Sequence, residues 1–104
     1  MATVRKKELT RQEILTRLEH NSALLHTCHV RRIGLFGSYA RQEQKRRSDI
    51  DLLVEFDTAT FDNFMNLAFA MERLFSKKVD LVMPDSLSPY VKPLVEQEVI
   101  WLEV

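Results

Sequence analysis

Hydrophobic residues recur at helical spacing in two stretches of the chain. In the first, over about residues 10–25, a T-x-x-E capping box of Thr10 and Glu13 precedes a moderate apolar stripe whose middle is weakened by polar residues 20–22. In the second, after a turn at residues 57–60, the wide apolar face consists of Phe64, Leu67, Ala68, Met71, Leu74 and Phe75. These patterns predict an N-terminal amphipathic helix and a second, broader helix in the middle of the chain.

Short apolar runs without helical spacing predict strands. Three of them cover residues 32–36 (RIGLF), 50–56 (IDLLVEF) and 79–83 (VDLVM), and a weak alternation over residues 99–104 (VIWLEV) predicts a last edge strand. A short helix is predicted directly after the first strand, over residue 38 to about residue 43, because Gly37 ends the apolar run.

The C-terminal part of the chain contains two proline signals. Ser88-Pro89 resembles a helix N-cap followed by proline at the first helical position, which predicts a helix from this point. Pro93 then lies too deep for an undisturbed helix, so we expect a kink or a short 3₁₀ turn before it. Because helices and strands alternate without a linker or repeat, we expect one α+β (mixed α/β) domain over residues 1–104, with a core at about 32–83 and a C-terminal helix and edge strand at about 88–104.

Composition restricts the class of protein. The chain is 45% hydrophobic and 29% charged with two glycines, which is ordinary for a globular domain and excludes disorder and low complexity. Fifteen basic residues balance fifteen acidic ones, so general DNA binding is not expected.

Cys28 is the only cysteine, which excludes an internal disulfide and favours a reducing cytoplasm. Residues 1–8 are charged and no segment approaches the roughly 20 apolar residues of a membrane span, so neither signal peptide nor membrane anchor is expected.

Three aspartates are the main candidates for chemistry. Asp49 and Asp51 are two apart at the start of a predicted strand, so their side chains point to the same patch. Asp80 lies on the third predicted strand and reaches that patch if the two strands are neighbours. Carboxylates so close together repel one another, and a divalent cation removes the repulsion. Oxygen ligands suit Mg²⁺, and two such ions roughly 3.5–4 Å apart can clamp the attacking and leaving oxygens of a phosphoryl or nucleotidyl transfer.

A strand-to-helix junction supplies a candidate phosphate site. Glycine at residue 37 lets a phosphate approach the backbone, and the amides that follow it, with the Ser38 hydroxyl, can donate to a triphosphate. Arg41 and the basic run at residues 45–47 can neutralise further phosphate charge. No G-x-x-x-x-G-K-[ST] sequence is present, so the junction is not a P-loop.

Each of these features also has an ordinary structural interpretation. A lone Gly-Ser pair is usually a turn, and an isolated D-x-D is more often a solvated strand end. Asp80 could pair with Lys77 or Lys78, and the basic run at residues 45–47 is as well explained as a solvated loop. The order and spacing of the pieces is what favours chemistry: Gly37-Ser38, ten residues, Asp49-x-Asp51, a helix, and then an aspartate on a strand.

This arrangement resembles the G-S-x10-D-x-D signature of the polymerase-β-like nucleotidyltransferases. The string GSYARQEQKRRSDIDLLVEFD is most similar to the minimal nucleotidyltransferase (MNT) family, and the resemblance covers about residues 32–83. It implies a palm fold, with a mixed sheet of three to four strands and helices packed mainly on one face. One departure is Gln42, where such sequences commonly carry glycine.

The resemblance also implies roles for individual residues. Asp49, Asp51 and Asp80 would be catalytic and would hold Mg²⁺, two ions by the pattern of the family, with Asp80 assisting the acceptor hydroxyl. The nucleotide, ATP, would be bound by Gly37, Ser38, Arg41 and Ser48.

The resemblance further implies a partner. Related MNT proteins are the antitoxins of type VII-like pairs with HEPN-domain ribonuclease toxins, and some transfer AMP from ATP to a tyrosine hydroxyl of the toxin. We therefore expect an ATP- and Mg²⁺-dependent protein adenylyltransferase that silences a HEPN toxin, with a homodimer or a hetero-oligomer with the toxin both open. The alternatives are an antitoxin that neutralises by contact alone, and nucleotidyl transfer to a small molecule or an RNA end.

Overall fold

A computed structural model describes residues 9–104 of the chain; residues 1–8, whose composition predicts that no signal peptide is present, lie outside the described part. The helices and strands, in chain order, are α1 (Arg11–His20), α2 (Ser22–Thr27), β1 (Val30–Phe36), α3 (Gly37–Arg41), β2 (Ile50–Phe56), α4 (Phe61–Phe75), β3 (Val79–Val82), a 3₁₀ turn (Pro84–Ser86), α5 (Lys92–Glu98) and β4 (Ile100–Glu103). Between residues 9 and 104, none of the helices is long and apolar enough to cross a bilayer.

The four strands form one mixed sheet in the order β3-β2-β1-β4. Strand β1 is antiparallel to both of its neighbours, β2 and β4, whereas β2 and β3 are parallel and are joined by the crossover helix α4. The predicted α+β class and mixed sheet are confirmed. The parallel pair brings the beginnings of β2 and β3 to the same edge of the sheet.

Alternate residues of β2 face two different environments. Ile50, Leu52 and Val54 are fully buried in the main core, with residues contributed by α1, α2 and α4: Ile14, Leu18, Leu25, Leu67, Met71 and Phe75. Asp51, Leu53 and Glu55 lie on the opposite face, since successive side chains of a strand alternate. Leu53 on this second face borders a cavity of about 390 Å³ beneath the segment that connects β3 to α5. The helices therefore lie mainly on one face, and the acidic residues lie on the other.

The predicted N-terminal helix is two helices. Its start is as predicted, because Thr10 is the N-cap and its hydroxyl accepts from the Glu13 amide at 3.2 Å. The chain leaves the helical conformation at Asn21, whose side-chain amide donates to the Arg17 carbonyl at 2.7 Å. This local bond competes with the helical ladder, so α1 ends at the weak position and α2 continues to Thr27.

The prediction for the C-terminal helix was wrong in its start. Ser88-Pro89 lies in a turn before the helix, where the Ser88 carbonyl accepts from the Lys92 amide at 2.9 Å. Helix α5 begins at Lys92, so Pro93 occupies its first turn, where a missing N–H is tolerated and no kink is needed. The 3₁₀ turn lies further upstream, at Pro84–Ser86.

The remaining boundaries differ by small amounts. Strand β2 has the predicted bounds, β1 begins two residues earlier than predicted, β3 ends one residue earlier, and β4 is shorter at both ends. Helix α3 begins one residue earlier and ends two residues earlier than predicted, because Gln42 adopts a left-handed conformation with φ 58° that terminates it.

Candidate active site

Two of the three predicted aspartates are adjacent in the sheet. Asp51 on β2 and Asp80 on β3 are register partners in the parallel pair, so their side chains leave the same face. Asp49 directly precedes β2 and, two residues before Asp51, lies on that face as well. The backbone therefore brings all three to one edge of the sheet, as the sequence predicts.

The carboxyl group of Asp51 is in a crowded, half-buried position. Burial raises its pKa from 3.8 to about 6, and the negative charges of Asp80 and Asp49 add to this, while the guanidinium of Arg41 opposes it. Burial and neighbouring carboxylates both raise the pKa of a carboxyl group. The site thus carries an excess of negative charge that a bound cation would relieve.

The three side chains do not converge on one point in this conformation. The Asp49 carboxylate is 3.8 Å from the Nζ atom of Lys78, an exposed side chain. Over residues 9–104, no group of three His, Cys, Asp or Glu side chains is placed to hold a metal ion. The donor set, three carboxylates on one face, fits a hard cation such as Mg²⁺.

Gly37 lies next to the acidic group, at the start of α3. Its φ is +76°, and a Cβ atom there would collide with the carboxylate of Asp51. Any residue with a Cβ atom would suffer both the collision and the unfavourable φ, so this position favours glycine. The Gly37 amide donates to Glu98 Oε2 at 2.6 Å, and Ser38 is the next residue of α3, half-buried beside it.

Arg41 extends from the end of α3 into the same region. Its Nη1 atom donates to Glu98 Oε1 at 2.9 Å and its Nε atom donates to Glu43 Oε1 at 2.8 Å. These hydrogen bonds, first to Glu43 and then to Glu98, raise the pKa of the guanidinium, which keeps a permanent positive charge beside the aspartates.

Ser48 has a local partner. Its hydroxyl accepts from the Lys45 amide at 2.8 Å and closes the basic loop, while the cationic side chains of residues 45–47 are exposed. The Lys77 ammonium donates to the Arg46 carbonyl at 3.2 Å, which ties the loop to the end of α4. The role of Ser48 in nucleotide binding stays a prediction, and the basic loop is arranged here as a solvated loop.

Glu98 is a residue of the site that the sequence did not predict. No motif contains it, and it lies 61 residues from Gly37 along the chain. The only relevant signal is the pairing of β4 with β1, in which Leu35 is opposite Ile100. Residue 98 then comes to lie beside residue 37, but this register follows from tertiary structure and not from a local pattern.

Together these residues form a site with two halves. Three carboxylates on one face of the sheet can hold hard cations, and beside them the Gly37 amide, the Ser38 hydroxyl and the Arg41 guanidinium can hold phosphate oxygens. This combination suits transfer at a phosphorus atom, where catalysis consists mostly of positioning and charge neutralisation.

Known proteins have sequences similar to that of this chain. The family described as polymerase beta, nucleotidyltransferase matches residues 11–101. Protein adenylyltransferase MntA of Thermococcus cleftensis is 40% identical over 96 residues, which cover 90% of this chain and 97% of the relative. A Methanocaldococcus jannaschii protein described as a candidate protein adenylyltransferase is 40% identical, over 88% of this chain and 93% of its own.

Solved structures of similar fold include chains from toxin–antitoxin complexes. A candidate minimal nucleotidyltransferase superposes with a TM-score of 0.77 and 31% identity, over 91% of this chain and 98% of its own. A toxin–antitoxin complex with AMP-PNP has a chain with a TM-score of 0.62 and 30% identity, over 89% of this chain and 72% of its own. A tri-AMPylated HEPN toxin of Shewanella oneidensis in complex with an MNT antitoxin gives 0.60 and 25%, over 85% and 70%.

Proposed function

Because the chain belongs to the polymerase beta nucleotidyltransferase family, we propose that it is a protein adenylyltransferase that acts as the antitoxin of a HEPN toxin. It transfers AMP from ATP to a tyrosine hydroxyl of the toxin and thereby neutralises it. The observation that carries the proposal is the register pairing of Asp51 with Asp80 beside Gly37, because it joins an acidic cluster to a phosphate cradle.

The similar proteins support this choice of acceptor and donor. The relative in Thermococcus cleftensis is named as a protein adenylyltransferase. Among the similar structures, one toxin–antitoxin complex holds AMP-PNP, an ATP analogue, and in another the HEPN toxin carries AMP groups. Transfer to a protein partner is therefore favoured over transfer to a small molecule or an RNA end.

In the proposed mechanism, this chain binds and orders the reactants. The Gly37 amide and the Ser38 hydroxyl bind phosphate oxygens of ATP, and Arg41 neutralises their charge. Asp49, Asp51 and Asp80 would hold Mg²⁺, which when bound supplies charge neutralisation at the reacting phosphate and its leaving group. Asp80 lies nearest the open edge of the sheet, where it can orient the acceptor hydroxyl and accept its proton.

The transfer itself is a single displacement. The tyrosine oxygen forms a bond to the α-phosphorus, the bond from that phosphorus to the bridging oxygen breaks, and pyrophosphate leaves with the bonding electrons. The proton of the hydroxyl passes to Asp80 or to solvent. Positioning the two reactants in line and neutralising the phosphate charge together supply most of the rate enhancement.

In this function, residues 1–104 form one minimal nucleotidyltransferase domain. The domain works in the cytoplasm, where ATP is present and Cys28 is expected to be reduced. Its partner is the HEPN toxin, which forms a hetero-oligomer with this chain or with a homodimer of it.

The test is an intact-mass measurement on the HEPN partner after incubation with ATP and Mg²⁺. We expect the wild-type protein to add AMP groups, and Asp49→Asn and Asp51→Asn to add none. Asp62→Asn is the matched control, since Asp62 is an exposed residue in the first turn of α4, in the helical layer, and should leave transfer unchanged. Equal AMP addition by Asp51→Asn and wild type would reject the assignment.

The same variants separate the contact-only antitoxin from the enzyme. The side chains of the three aspartates do not converge in this conformation, which is what an inactive binding protein would also display. If Asp49→Asn and Asp51→Asn still relieve toxicity in cells at wild-type level, neutralisation occurs by contact. If they fail while still binding the toxin, neutralisation requires the transfer.

A further inference from the structure

The carboxylate of Glu98 occupies the donors of the phosphate cradle. It accepts from the Gly37 amide at 2.6 Å through Oε2 and from Arg41 Nη1 at 2.9 Å through Oε1. Both are short, charge-assisted hydrogen bonds, and both oxygens of the carboxylate are used. Only 22% of the Glu98 side chain is exposed.

The position of Glu98 follows from the sheet. It is the last residue of α5, and β4 begins two residues later by pairing Ile100 with Leu35. Gly34, the residue before Leu35 in β1, has no room for a Cβ atom because Val99 and the ring of Trp101 lie against it. The junction between α5 and β4 is thus packed tightly on β1, so Glu98 is held beside Gly37.

A carboxylate and a phosphate compete for the same donors. Each presents negatively charged oxygens to an amide and a guanidinium, and one amide hydrogen cannot serve both at full strength. Glu98 also adds negative charge to a region that already holds three aspartates, and it contributes to the raised pKa of Asp51. An incoming triphosphate therefore meets an occupied cradle and a repulsive charge.

We propose that Glu98 is an internal competitor for the phosphates of the nucleotide, and that ATP binds only by displacing its carboxylate from Gly37 and Arg41. This inference rests on the proposed function, since it assumes that these two residues bind the nucleotide. The displacement links occupancy of the site to the end of α5. The chain thereby holds its nucleotide less tightly than its cradle permits.

The test is isothermal titration calorimetry of ATP, tripolyphosphate and adenosine with wild type, Glu98→Gln and Glu98→Ala. We expect the two variants to bind ATP and tripolyphosphate about tenfold more tightly, because a charge-assisted competitor is lost. Adenosine has no phosphate, so its affinity should not change. Glu96→Gln is the matched control: Glu96 lies on the same helix and lines the cavity beside Trp101, so the same charge is removed elsewhere.

Two results would overturn the inference. Unchanged or weaker binding of ATP by both Glu98 variants would mean that Glu98 supports the donors. An equal gain in Glu96→Gln would mean that general charge is responsible. Glu98→Asp, which keeps the charge but shortens the reach, is the substitute if either variant melts early, and it should also bind tripolyphosphate more tightly than wild type.

Failure of this inference is distinguishable from failure of the proposed function. If wild type adds AMP to the toxin but Glu98→Gln binds ATP no better, only the competitor is rejected. If Glu98→Gln binds ATP more tightly but neither wild type nor any variant adds AMP to the toxin, the adenylyltransferase function is rejected and the role of Glu98 as a competitor is retained. If neither wild type nor the Glu98 variants bind ATP or tripolyphosphate, both are rejected.

Discussion

Asp51 and Asp80 lie side by side on the parallel strands β2 and β3, as direct register partners. Their relative position is set by the backbone hydrogen bonds of the sheet and not by a loop. Sites built on strands hold their geometry more accurately than sites built on loops. The acidic pair is therefore the rigid part of the site, and Asp49, which precedes the strand, is the part that can reorient.

Replacing Asp51 by Asn should stabilise the protein at neutral pH while it abolishes transfer. The pKa of Asp51 is raised from 3.8 to about 6, so the folded protein favours the neutral carboxyl. The stability that this neutral form contributes is fully present below pH 3.8 and is lost as the pH rises through 6. Discounted for solvent screening, Asp51→Asn should gain about 1 kcal/mol at pH 7.

Urea unfolding between pH 3.5 and 7.5 in a chelating buffer measures this. The free energies of unfolding of wild type and Asp51→Asn should diverge as the pH rises across that interval. Curves of equal shape for wild type and Asp51→Asn would contradict the crowding of charge described for this site.

Replacing Gly37 by Ala should damage both stability and nucleotide binding. The new methyl group would collide with the Asp51 carboxylate, and the φ of +76° is unfavourable for any other residue. We expect a loss of about 2 kcal/mol in unfolding free energy. Thermal melting and ATP titration of the folded protein measure the two effects.

Gly34→Ala is the matched control for Gly37→Ala. A methyl group there would meet Trp101 and Val99, the neighbour of Glu98, so it should also destabilise, but it leaves the backbone of Gly37 unchanged. Folded Gly34→Ala should bind ATP more tightly than folded Gly37→Ala. Identical ATP affinities in the two variants would argue against a phosphate role for Gly37.

The sequence predicted those parts of the fold that depend on local patterns. Strand β2 was predicted to the residue, because its apolar run is continuous and bounded by polar positions. The placement of Asp49 and Asp51 on one face followed from the alternation of a strand alone. The start of α5 was missed, because Ser88-Pro89 and Pro93 are two competing proline signals and only packing decides between them.

The side-chain arrangement of the site was beyond local reasoning. The contact of Glu98 with Gly37 depends on which strand pairs with β1, and the pairing of Asp49 with Lys78 depends on a rotamer at the surface. Neither leaves a periodic trace in the sequence. The convergence of three carboxylates on one ion remains a prediction, which Mg²⁺ titration in the presence of nucleotide can test.

Breaking the ion pair between Arg32 and Glu55, on the second face of the sheet, should lower the unfolding free energy of the protein. The pair is bidentate, with both N···O distances 2.9 Å, and the Arg32 guanidinium lies 3.8 Å above the ring of Trp101. Arg32→Met keeps most of the aliphatic packing but loses both interactions, which should cost about 1 kcal/mol.

The pH dependence of this pair has the opposite sign to that of Asp51. The hydrogen bond from Arg32 lowers the pKa of Glu55 below 4.5, so the pair contributes stability above pH 4.5 and loses it as the pH falls further. In urea unfolding, the difference between wild type and Arg32→Met should shrink in acid. A difference that persists at pH 2.5 would assign the loss to packing on Trp101 instead.

Replacing Gln42 by Gly should stabilise the protein. Gln42 ends α3 in a left-handed conformation with φ 58°, which glycine adopts more readily than glutamine. Relief of this strain is worth about 1 kcal/mol. With its amide oxygen turned toward Arg11, the Gln42 side chain accepts from that guanidinium, a solvent-exposed contact that offsets only part of the gain.

Gln42→Ala separates the two contributions, because it removes the amide but keeps the strain. We expect thermal melting temperatures in the order Gln42→Gly, wild type, Gln42→Ala, from highest to lowest. A Gln42→Gly variant that melts below Gln42→Ala would show that the contact with Arg11 outweighs the backbone strain.

The alternation of residues along β2 has an evolutionary consequence. Three of its seven residues belong to the acidic face and four to the helical layer, so neighbouring codons respond to different selective pressures. A substitution at Asp51 alters the acidic site and leaves the buried residues of the helical layer in place, whereas Leu53 and Glu55 on the same face also contribute to folding. A descendant that had lost only the acidic side chains of its site would keep the buried layer on which its fold depends.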